Sequence, residues 1–312
     1  MDWKDKKVLV NGVTGFLGSN IARNLLNMGA QIYSIDNFTY TNVEMAKKKL
    51  VFLDKIKIIK ADVSKQESWE EVPKDIDYIF HFAAPSSIVL FKKFPEICYN
   101  ETFWGLYNAF EFAKKNKVKK VIYPSSGSVY SGNVLPHSES VYPKPTNLYA
   151  ACKLACEGLA SSYSNFVKIV GLRISASYGP GEEWKEDFGC APFLFIRDLI
   201  AGKAPEIWGD GKQTRDFVYV DDAVSMIIKS AEIDYTGLIN IGSGEETSFK
   251  ELVAKIKKIL NSDVEPTYIP REVSYVERIK VDMARNNTLF GIKTISMDEG
   301  LKNFIDYLKA SS

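Results

Sequence analysis

A tyrosine and a lysine four residues apart, Tyr149 and Lys153, are the side chains of this sequence best suited to acid–base chemistry. A helix completes a turn about every 3.6 residues, so the two side chains would stand one above the other on one face. A fixed ammonium beside a phenol favours the phenolate, which makes the tyrosine a usable base. Because a solvated lysine can also simply cover an aromatic ring at this spacing, the pair needs support from other motifs.

The first apolar run is followed by three glycines spaced three residues apart, Gly12, Gly15 and Gly18. Gly12 permits a tight turn, Gly15 lets the backbone approach a pyrophosphate, and Gly18 lets a helix pack closely on a strand. The predicted helix that follows the loop supplies backbone N–H groups and the positive end of its dipole to phosphates, and Phe16 and Leu17 of the loop are also expected at the cofactor. The loop therefore predicts a dinucleotide site, with a ligand-free glycine turn as the alternative.

A carboxylate at the end of the second predicted strand supports the dinucleotide interpretation. Asp36 lies about 20 residues beyond the loop, where an acidic side chain accepts a hydrogen bond from the adenosine ribose 2′-hydroxyl. It would repel a 2′-phosphate, and no arginine follows in residues 37–42. The sequence therefore favours NAD over NADP. Asp62 and Val63 follow the third predicted strand and are expected at the adenine, and the small residues after the fourth predicted strand admit the cofactor backbone: Phe82, Ala83 and Ala84.

Strands and helices alternate through the first half of the chain. Strands are predicted at 7–11, 31–36, 56–60, 78–82, 118–123 and 166–172, with helices at about 21–28, 43–53, 95–116 and 147–164. This order predicts right-handed βαβ units and an α/β fold of the Rossmann type, with a doubly wound parallel sheet. The second half has helices at about 191–201, 220–232, 249–260 and 297–309, and a short strand at 238–241 that extends the sheet. We expect an NAD-binding domain of residues 1–172, with about 215–243 added, and a smaller interleaved α/β substrate domain of residues 173–312.

Composition excludes several other classes of function. The 312 residues are 46% hydrophobic and 25% charged with a net charge of +1, so we expect neither a nucleic-acid partner nor a membrane surface. No apolar run is long enough to span a bilayer, and no signal peptide precedes the first strand, which predicts a cytoplasmic protein. We expect no metal and no disulfide framework from the two histidines and four cysteines, which are His81, His137, Cys98, Cys152, Cys156 and Cys190.

Taken together, these residues resemble the extended short-chain dehydrogenase/reductase family, in its NAD-dependent nucleotide-sugar epimerase/dehydratase branch. The resemblance runs over nearly the whole chain. Besides the glycine loop and the Tyr149–Lys153 pair, it is carried by Asp36-Asn37, Asp62-Val63, His81 to Ala84, Asn100, Ser125 to Tyr130, Leu172-Arg173, Tyr178 to Pro180, Gly209 to Ala223, Asp282 and Asp298 to Leu301. It implies that Asn37 and Asn100 also bind the cofactor.

The resemblance also implies a catalytic set. Ser126 would hydrogen-bond the reacting sugar oxygen, Tyr149 would act as the acid and base, and Lys153 would hold the nicotinamide ribose. Ser126 would equally suit the cap of a turn, which leaves Ser125 and Ser128 as alternatives. Because Tyr149 abstracts a hydroxyl proton while a hydride leaves the same carbon for NAD, the set suits reversible oxidation of an alcohol.

One departure from the family pattern constrains the reaction. Family dehydratases carry an Asp-Glu pair directly after the catalytic serine or threonine, and here Gly127-Ser128 stands in that place. Loss of water lacks its acid and base, so we expect an epimerase that works through a transient 4-keto sugar. The alternatives are an NAD-dependent nucleotide-sugar dehydrogenase, reductase or dehydratase, and a non-catalytic NAD-binding module.

A second departure leaves the sugar open. Family epimerases often place an asparagine before Val-Tyr-Gly-Pro to contact the substrate diphosphate, and here Ala176 stands in that place, with Ser175 or Ser177 as the candidate to substitute in part for the contact. Arg215 matches the family's phosphate-binding arginine. We expect a UDP-hexose, UDP-glucose or UDP-galactose, bound with help from Ser128, Ser175, Arg271 and Arg278, although both latter arginines also suit a plain surface role. The resemblance further implies a homodimer that pairs the helices at 95–116 and 147–164.

Overall fold

The computed structural model describes residues 1–39, 48, 50–270 and 276–311. Its strands are β1 (Lys7–Asn11), β2 (Gln31–Asp36), β3 (Lys57–Lys60), β4 (Tyr78–His81), β5 (Lys120–Ser126), β6 (Ile169–Ile174), β7 (Ala176–Tyr178), β8 (Glu206–Trp208), β9 (Thr214–Arg215), β10 (Phe217–Tyr219), β11 (Gly237–Ile241), β12 (Thr247–Ser248) and β13 (Thr267–Ile269). Its α-helices are α1 (Phe16–Asn27), α2 (Ile88–Lys93), α3 (Pro95–Tyr99), α4 (Gly105–Asn116), α5 (Leu148–Tyr163), α6 (Ala191–Ile200), α7 (Val220–Glu232), α8 (Phe249–Leu260), α9 (Ala284–Phe290) and α10 (Met297–Ser311).

A seven-stranded sheet forms the centre of the molecule. Its strand order is β3-β2-β1-β4-β5-β6-β11, and every neighbouring pair is parallel. The strands read as continuous apolar runs, as in β1, because helices cover both faces of the sheet. Strand order reverses between β1 and β4, and ligands of such sheets bind at the carboxyl ends of the strands beside that point. The predicted Rossmann-type fold is confirmed.

The two faces of the sheet have separate cores. On one face α1 and α7 pack against a large cluster that continues into the second half of the chain. On the other face α4 and α5 enclose a second cluster around Phe110 and Tyr123. As expected, β11 comes from the second half of the chain and pairs with β6 at the sheet edge. The proposed division into two domains stays a prediction.

Several boundaries differ from the sequence prediction. The helix expected at 95–116 is interrupted by a π-helical turn at Asn100–Trp104, between α3 and α4. Strand β5 runs to Ser126 because its last residues still pair with β6. Helices α2 and α9 were not predicted. The helix expected at 43–53 falls mostly outside the described residues. Within those residues, no helix combines the length and the apolar character that crossing a bilayer requires.

Candidate active site

The glycine loop between β1 and α1 forms a cradle that side chains would fill. Gly12 has φ of +77°, and a Cβ there would lie 2.8 Å from the backbone of Ala83 and from the carbonyl oxygen of Phe82. A Cβ on Gly18 would lie 2.0 Å from the carbonyl oxygen of Gly12. Gly15 is the N-cap of α1, whose first turn presents its backbone N–H groups at this edge of the sheet. The cradle fits a pyrophosphate, as the glycine spacing predicts.

We expect Gly18→Ala to abolish cofactor retention, because the new methyl would overlap backbone and force the loop away from the helix. We expect at least about a tenfold loss in affinity for the dinucleotide, because the loop and α1 must move apart to make room for the methyl group. The measurement is the amount of dinucleotide released from purified protein. Gly158→Ala is the matched control, because a Cβ at this α5 position meets nothing within 4 Å. Equal dinucleotide content in both variants would contradict the cradle.

Asp36 holds the loop together at the end of β2. One carboxylate oxygen accepts hydrogen bonds from the backbone N–H and the hydroxyl of Thr14, both at 2.9 Å. The other oxygen accepts the N–H of Phe38, also at 2.9 Å. Because a carboxylate has about four acceptor positions, Asp36 can still accept from a ribose hydroxyl. Thr14 had not been predicted as a site residue.

A cleft opens beside Asp36. Its described lining contains no lysine or arginine and consists of Gly12, Thr14, Gly15, Asp36, Asn37, Thr39, Ala61, Val63, Phe82, Ala83, Ala84 and Glu101. Most of the predicted cofactor residues are therefore brought together. Phe16 is buried and Leu17 partly buried in the first turn of α1, and Asp62 caps a turn through the N–H of Ser64. Asn100 is exposed on the π-helical turn, so the structure does not bring its side chain into the cleft.

Helix α5 carries the predicted catalytic pair. It begins behind Asn147, whose side chain accepts the N–H of Ala150 at 2.9 Å. The Lys153 ammonium lies 5.8 Å from the centre of the Tyr149 ring and donates to the carbonyl oxygen of Pro124 at 2.9 Å. Tyr149 is 8% exposed and packs edge-on against Phe91. The lysine thus ties the tyrosine's helix to the end of β5, one turn below the phenol.

Ser126 ends β5 and faces the same edge of the sheet. Its hydroxyl oxygen accepts the N–H of Ser128 at 3.1 Å, so it does cap the 3-10 helix Gly127–Tyr130. A hydroxyl that accepts through a lone pair can still donate its proton, so the cap and a catalytic role are compatible. Ser125 instead donates to Glu157 at 2.5 Å inside the core. Ser128 is partly exposed on the 3-10 helix.

A buried ion pair that the sequence analysis missed lies behind this serine. The Glu157 carboxylate accepts two hydrogen bonds from the Arg173 guanidinium, at 2.9 and 2.7 Å, and both side chains are almost fully buried. Arg173 also donates to the Tyr130 hydroxyl at 2.8 Å, and that hydroxyl donates to Asn240. Burial raises the pKa of Tyr130 to about 12, so this phenol stays protonated. Glu157 follows Lys153 by four residues, and that spacing was the signal available in the sequence.

His81 ends β4 beneath the cleft and is 3% exposed. Its Nδ1 lies 3.1 Å from the Asn11 side-chain amide. Burial, and secondarily the positive charge of Lys153, lower the pKa of His81 to about 3. The imidazole is therefore neutral at neutral pH, and it adds no second positive charge near Lys153.

This neutral histidine predicts a pH dependence of stability. Between pH 6.5 and about 3 the unfolded chain binds a proton that folded His81 does not, so stability falls as the pH falls through that window. From pH 7 to pH 5, His81 should account for a loss of up to about 2 kcal/mol in the free energy of unfolding. Urea unfolding of wild type and His81→Asn at both pH values measures it. If both proteins lose the same free energy, His81 is not the cause.

The substrate candidates lie on neighbouring short strands. Arg215 on β9 is 7% exposed, lies 5.7 Å from the Phe249 ring and donates to the carbonyl oxygen of Thr214. Arg278 forms a β-bridge with Thr214, but its guanidinium binds the Glu246 carboxylate at 2.8–3.0 Å and the side chain is 59% exposed. Arg271 lies outside the described residues.

Ser175, one of the two serines beside Ala176, already forms a hydrogen bond within the protein. The Ser175 hydroxyl donates to the backbone carbonyl of Asp216, while β7 pairs with β10 through Ala176 and Phe217. All four cysteines are free thiols. Across the described ranges, no three histidine, cysteine or acidic side chains gather in a way that would hold a metal ion.

Comparison with known proteins places this geometry among sugar-nucleotide enzymes. Residues 8–242 match the model of the NAD dependent epimerase/dehydratase family. A putative UDP-glucose 4-epimerase of Methanocaldococcus jannaschii is 29% identical over 97% of this chain and 98% of its own. The UDP-glucose 4-epimerase of Thermotoga maritima, solved with UDP-glucose, superposes with a TM-score of 0.91 at 26% identity over 98% and 99% of the two chains. The UDP-glucuronic acid 4-epimerase of Bacillus cereus, solved with UDP-glucuronic acid and NAD, gives 0.89 at 27% identity over 98% and 100%.

Proposed function

Because this chain belongs to the NAD-dependent epimerase/dehydratase family, as its sequence predicts, we propose that it inverts carbon 4 of a UDP-hexose, with UDP-glucose and UDP-galactose as the first pair to test. The observation that supports the proposal is that Lys153, one turn from Tyr149, bonds Pro124 two residues before Ser126, at the same edge of the sheet as the glycine cradle. A combination of a proton-transfer group and a dinucleotide site suits reversible oxidation of a sugar hydroxyl.

Each catalytic side chain has a distinct task. Bound NAD supplies the chemistry of hydride acceptance and return. Tyr149, as phenolate, removes the proton from the C4 hydroxyl and gives it back after the 4-keto sugar has presented its other face. The Lys153 ammonium lies one turn from the phenol, and its bond to Pro124 fixes where its positive charge stands. Ser126 donates a hydrogen bond to the C4 oxygen while its own oxygen stays anchored by Ser128.

The residues after Ser126 favour epimerisation over dehydration. Gly127 and Ser128 provide no carboxylic acid at the place where elimination needs one. A Cβ at Gly127 would lie in ordinary van der Waals contact, 3.5–3.6 Å, with Ile174, Ser175 and Ile279. Water loss would lack both its acid and its base there, whereas the proton transfer of inversion is assigned to Tyr149.

Nucleotide binding is proposed at the short strands of the second half. Arg215 is buried, positively charged and well shaped for a diphosphate, which supports its assignment as a phosphate ligand. Arg278 forms a β-bridge with Thr214, the neighbour of Arg215, but its charge is paired with Glu246. We therefore expect a smaller contribution from Arg278 to nucleotide binding. The roles of Ser128, Ser175 and Arg271 at the substrate stay predictions.

A nucleotide-sugar panel tests the proposal. Purified protein is incubated without added cofactor with UDP-glucose, UDP-galactose, UDP-glucuronic acid and UDP-N-acetylglucosamine, and the products are identified by NMR. We expect a C4 epimer from at least one of them at constant absorbance of the NADH band. A sugar-dependent rise of that band with no epimer would instead identify a dehydrogenase. Cofactor content without any product would identify a binding module.

We further propose a cytoplasmic homodimer. Free cysteines suit a reducing compartment. Large apolar side chains stand about half exposed on or beside the helices from α2 to α5: Phe94, Ile97, Trp104 and Leu148. Exposed apolar side chains concentrated on neighbouring helices suit a protein interface. Light scattering at micromolar concentration should give twice the 35.1 kDa chain mass, and Trp104→Glu should reduce the measured mass to that of a single chain.

A further inference from the structure

We propose that Glu101 is a second carboxylate of the cofactor cleft, which acts with Asp36 to select a dinucleotide with a free adenosine ribose over one that carries a 2′-phosphate. This rests on the proposed placement of the adenosine half beside Asp36. The sequence motifs single out Asn100 instead, one residue earlier.

The π-helical turn Asn100–Trp104 determines which side chain faces the cleft. Asn100 is exposed, whereas Glu101 is 9% exposed and lines the cleft together with Asp36 and Asn37. A π-helical turn inserts an extra residue into the helical repeat, rotates the side chains before it, and is frequent at functional sites. The turn thus directs a carboxylate inward, where burial of a charged group needs a function or a partner.

Glu101 is connected to the ribose-binding end of β2. The Asn37 side-chain amide donates to the Glu101 carboxylate at 3.2 Å, and Asn37 directly follows Asp36. Asn37 therefore links the two carboxylates, because it follows Asp36 in the chain and its side chain binds Glu101. Three protein donors already bind Asp36, which leaves it about one acceptor position for a ribose diol with two hydroxyls. Glu101 places a second carboxylate in the same cleft.

The negative charge of the cleft is expected to disfavour a dinucleotide that carries a 2′-phosphate. A 2′-phosphate brings a charge of about −1.5 to −2. The described lining holds two carboxylates and, within that part of the chain, neither lysine nor arginine to meet the phosphate. Like charges in a partly buried site repel strongly because water screens them poorly. Removal of either carboxylate charge should therefore improve binding of NADP relative to NAD.

Competition between the two dinucleotides tests the proposal without reference to turnover. Purified wild type and Glu101→Gln are equilibrated with an equimolar mixture of NAD⁺ and NADP⁺, freed of unbound nucleotide, and their contents are separated by chromatography. We expect the bound NADP⁺/NAD⁺ ratio to rise about tenfold in Glu101→Gln, the change that about 1.4 kcal/mol of relieved repulsion produces. Glu101→Ala is a second variant and should shift the ratio in the same direction.

The controls separate this proposal from the cofactor site itself. Glu96→Gln removes an exposed carboxylate from α3 and should leave the ratio unchanged. Asp36→Asn should raise it. If Asp36→Asn raises the ratio and both Glu101 variants leave it within twofold, Asp36 selects alone and the proposal is wrong. Equal loss of both dinucleotides in the Glu101 variants would also overturn it, because it would show a purely structural role. Wild type that binds neither dinucleotide would contradict the cofactor site, not the selectivity of Glu101.

Discussion

Tyr149→Phe is expected to lower kcat by a factor of about 10²–10⁴, the usual contribution of a positioned acid–base group. In the proposed mechanism the phenol moves the sugar's hydroxyl proton, and the variant keeps the ring against Phe91 while it removes only the oxygen. Cofactor content should stay at the wild-type level, because Lys153 keeps its bond to the carbonyl oxygen of Pro124. The measurement is epimer formation by NMR together with the bound dinucleotide.

Tyr142→Phe is the matched control, since that tyrosine is 80% exposed. It should turn over like wild type. If Tyr149→Phe also retained wild-type turnover, another group would carry the proton and the assignment of Tyr149 would be wrong. If it lost its dinucleotide, the change would have disturbed the cofactor site and the comparison would rest on Ser126→Ala instead.

Glu157→Ala is expected to give the largest loss of stability of any single change considered, about 3–5 kcal/mol in the free energy of unfolding. The substitution leaves the Arg173 guanidinium buried at 2% exposure without its carboxylate partner. It also removes the acceptor of Ser125, next to the catalytic serine. Urea unfolding measures the loss.

A double variant separates charge burial from packing. Replacement of both partners by apolar residues, Glu157→Met with Arg173→Met, should recover much of the stability, because no buried charge is left unpaired. Asp306→Ala breaks the surface pair with Lys302, which lies in the exposed part of α10, and should change nothing measurable. A Glu157→Ala protein as stable as wild type would mean that water enters the site and solvates Arg173.

Sequence patterns predicted most of the frame of the site because they report local constraints. The glycine spacing reflects backbone contacts as close as the one between Gly18 and Gly12, and only glycine meets them. The 3.6-residue period placed Tyr149 and Lys153 on one face, and the predicted end of β2 placed Asp36 at the carboxyl edge of the sheet, whereas β5 runs three residues past its predicted end to Ser126.

Features that depend on tertiary context were beyond such patterns. Nothing local in residues 95–116 distinguishes a π-helical turn from a continuous helix, so the exposure of Asn100 and the burial of Glu101 could not be predicted. The partner of Arg278 is Glu246, which is 32 residues away, and only the fold brings them together. Glu157 was visible through its spacing from Lys153, but its importance depends on Arg173 of β6.

The route of the hydrogen at carbon 4 tests the central claim most directly. UDP-glucose labelled with deuterium at C4 is converted by the purified protein in ordinary water, without added cofactor, and the UDP-hexoses are analysed by NMR and mass spectrometry. Hydride abstraction and return predicts that deuterium stays at C4 in both UDP-glucose and UDP-galactose. Loss of the label to water, or its accumulation in free reduced dinucleotide, would contradict the account.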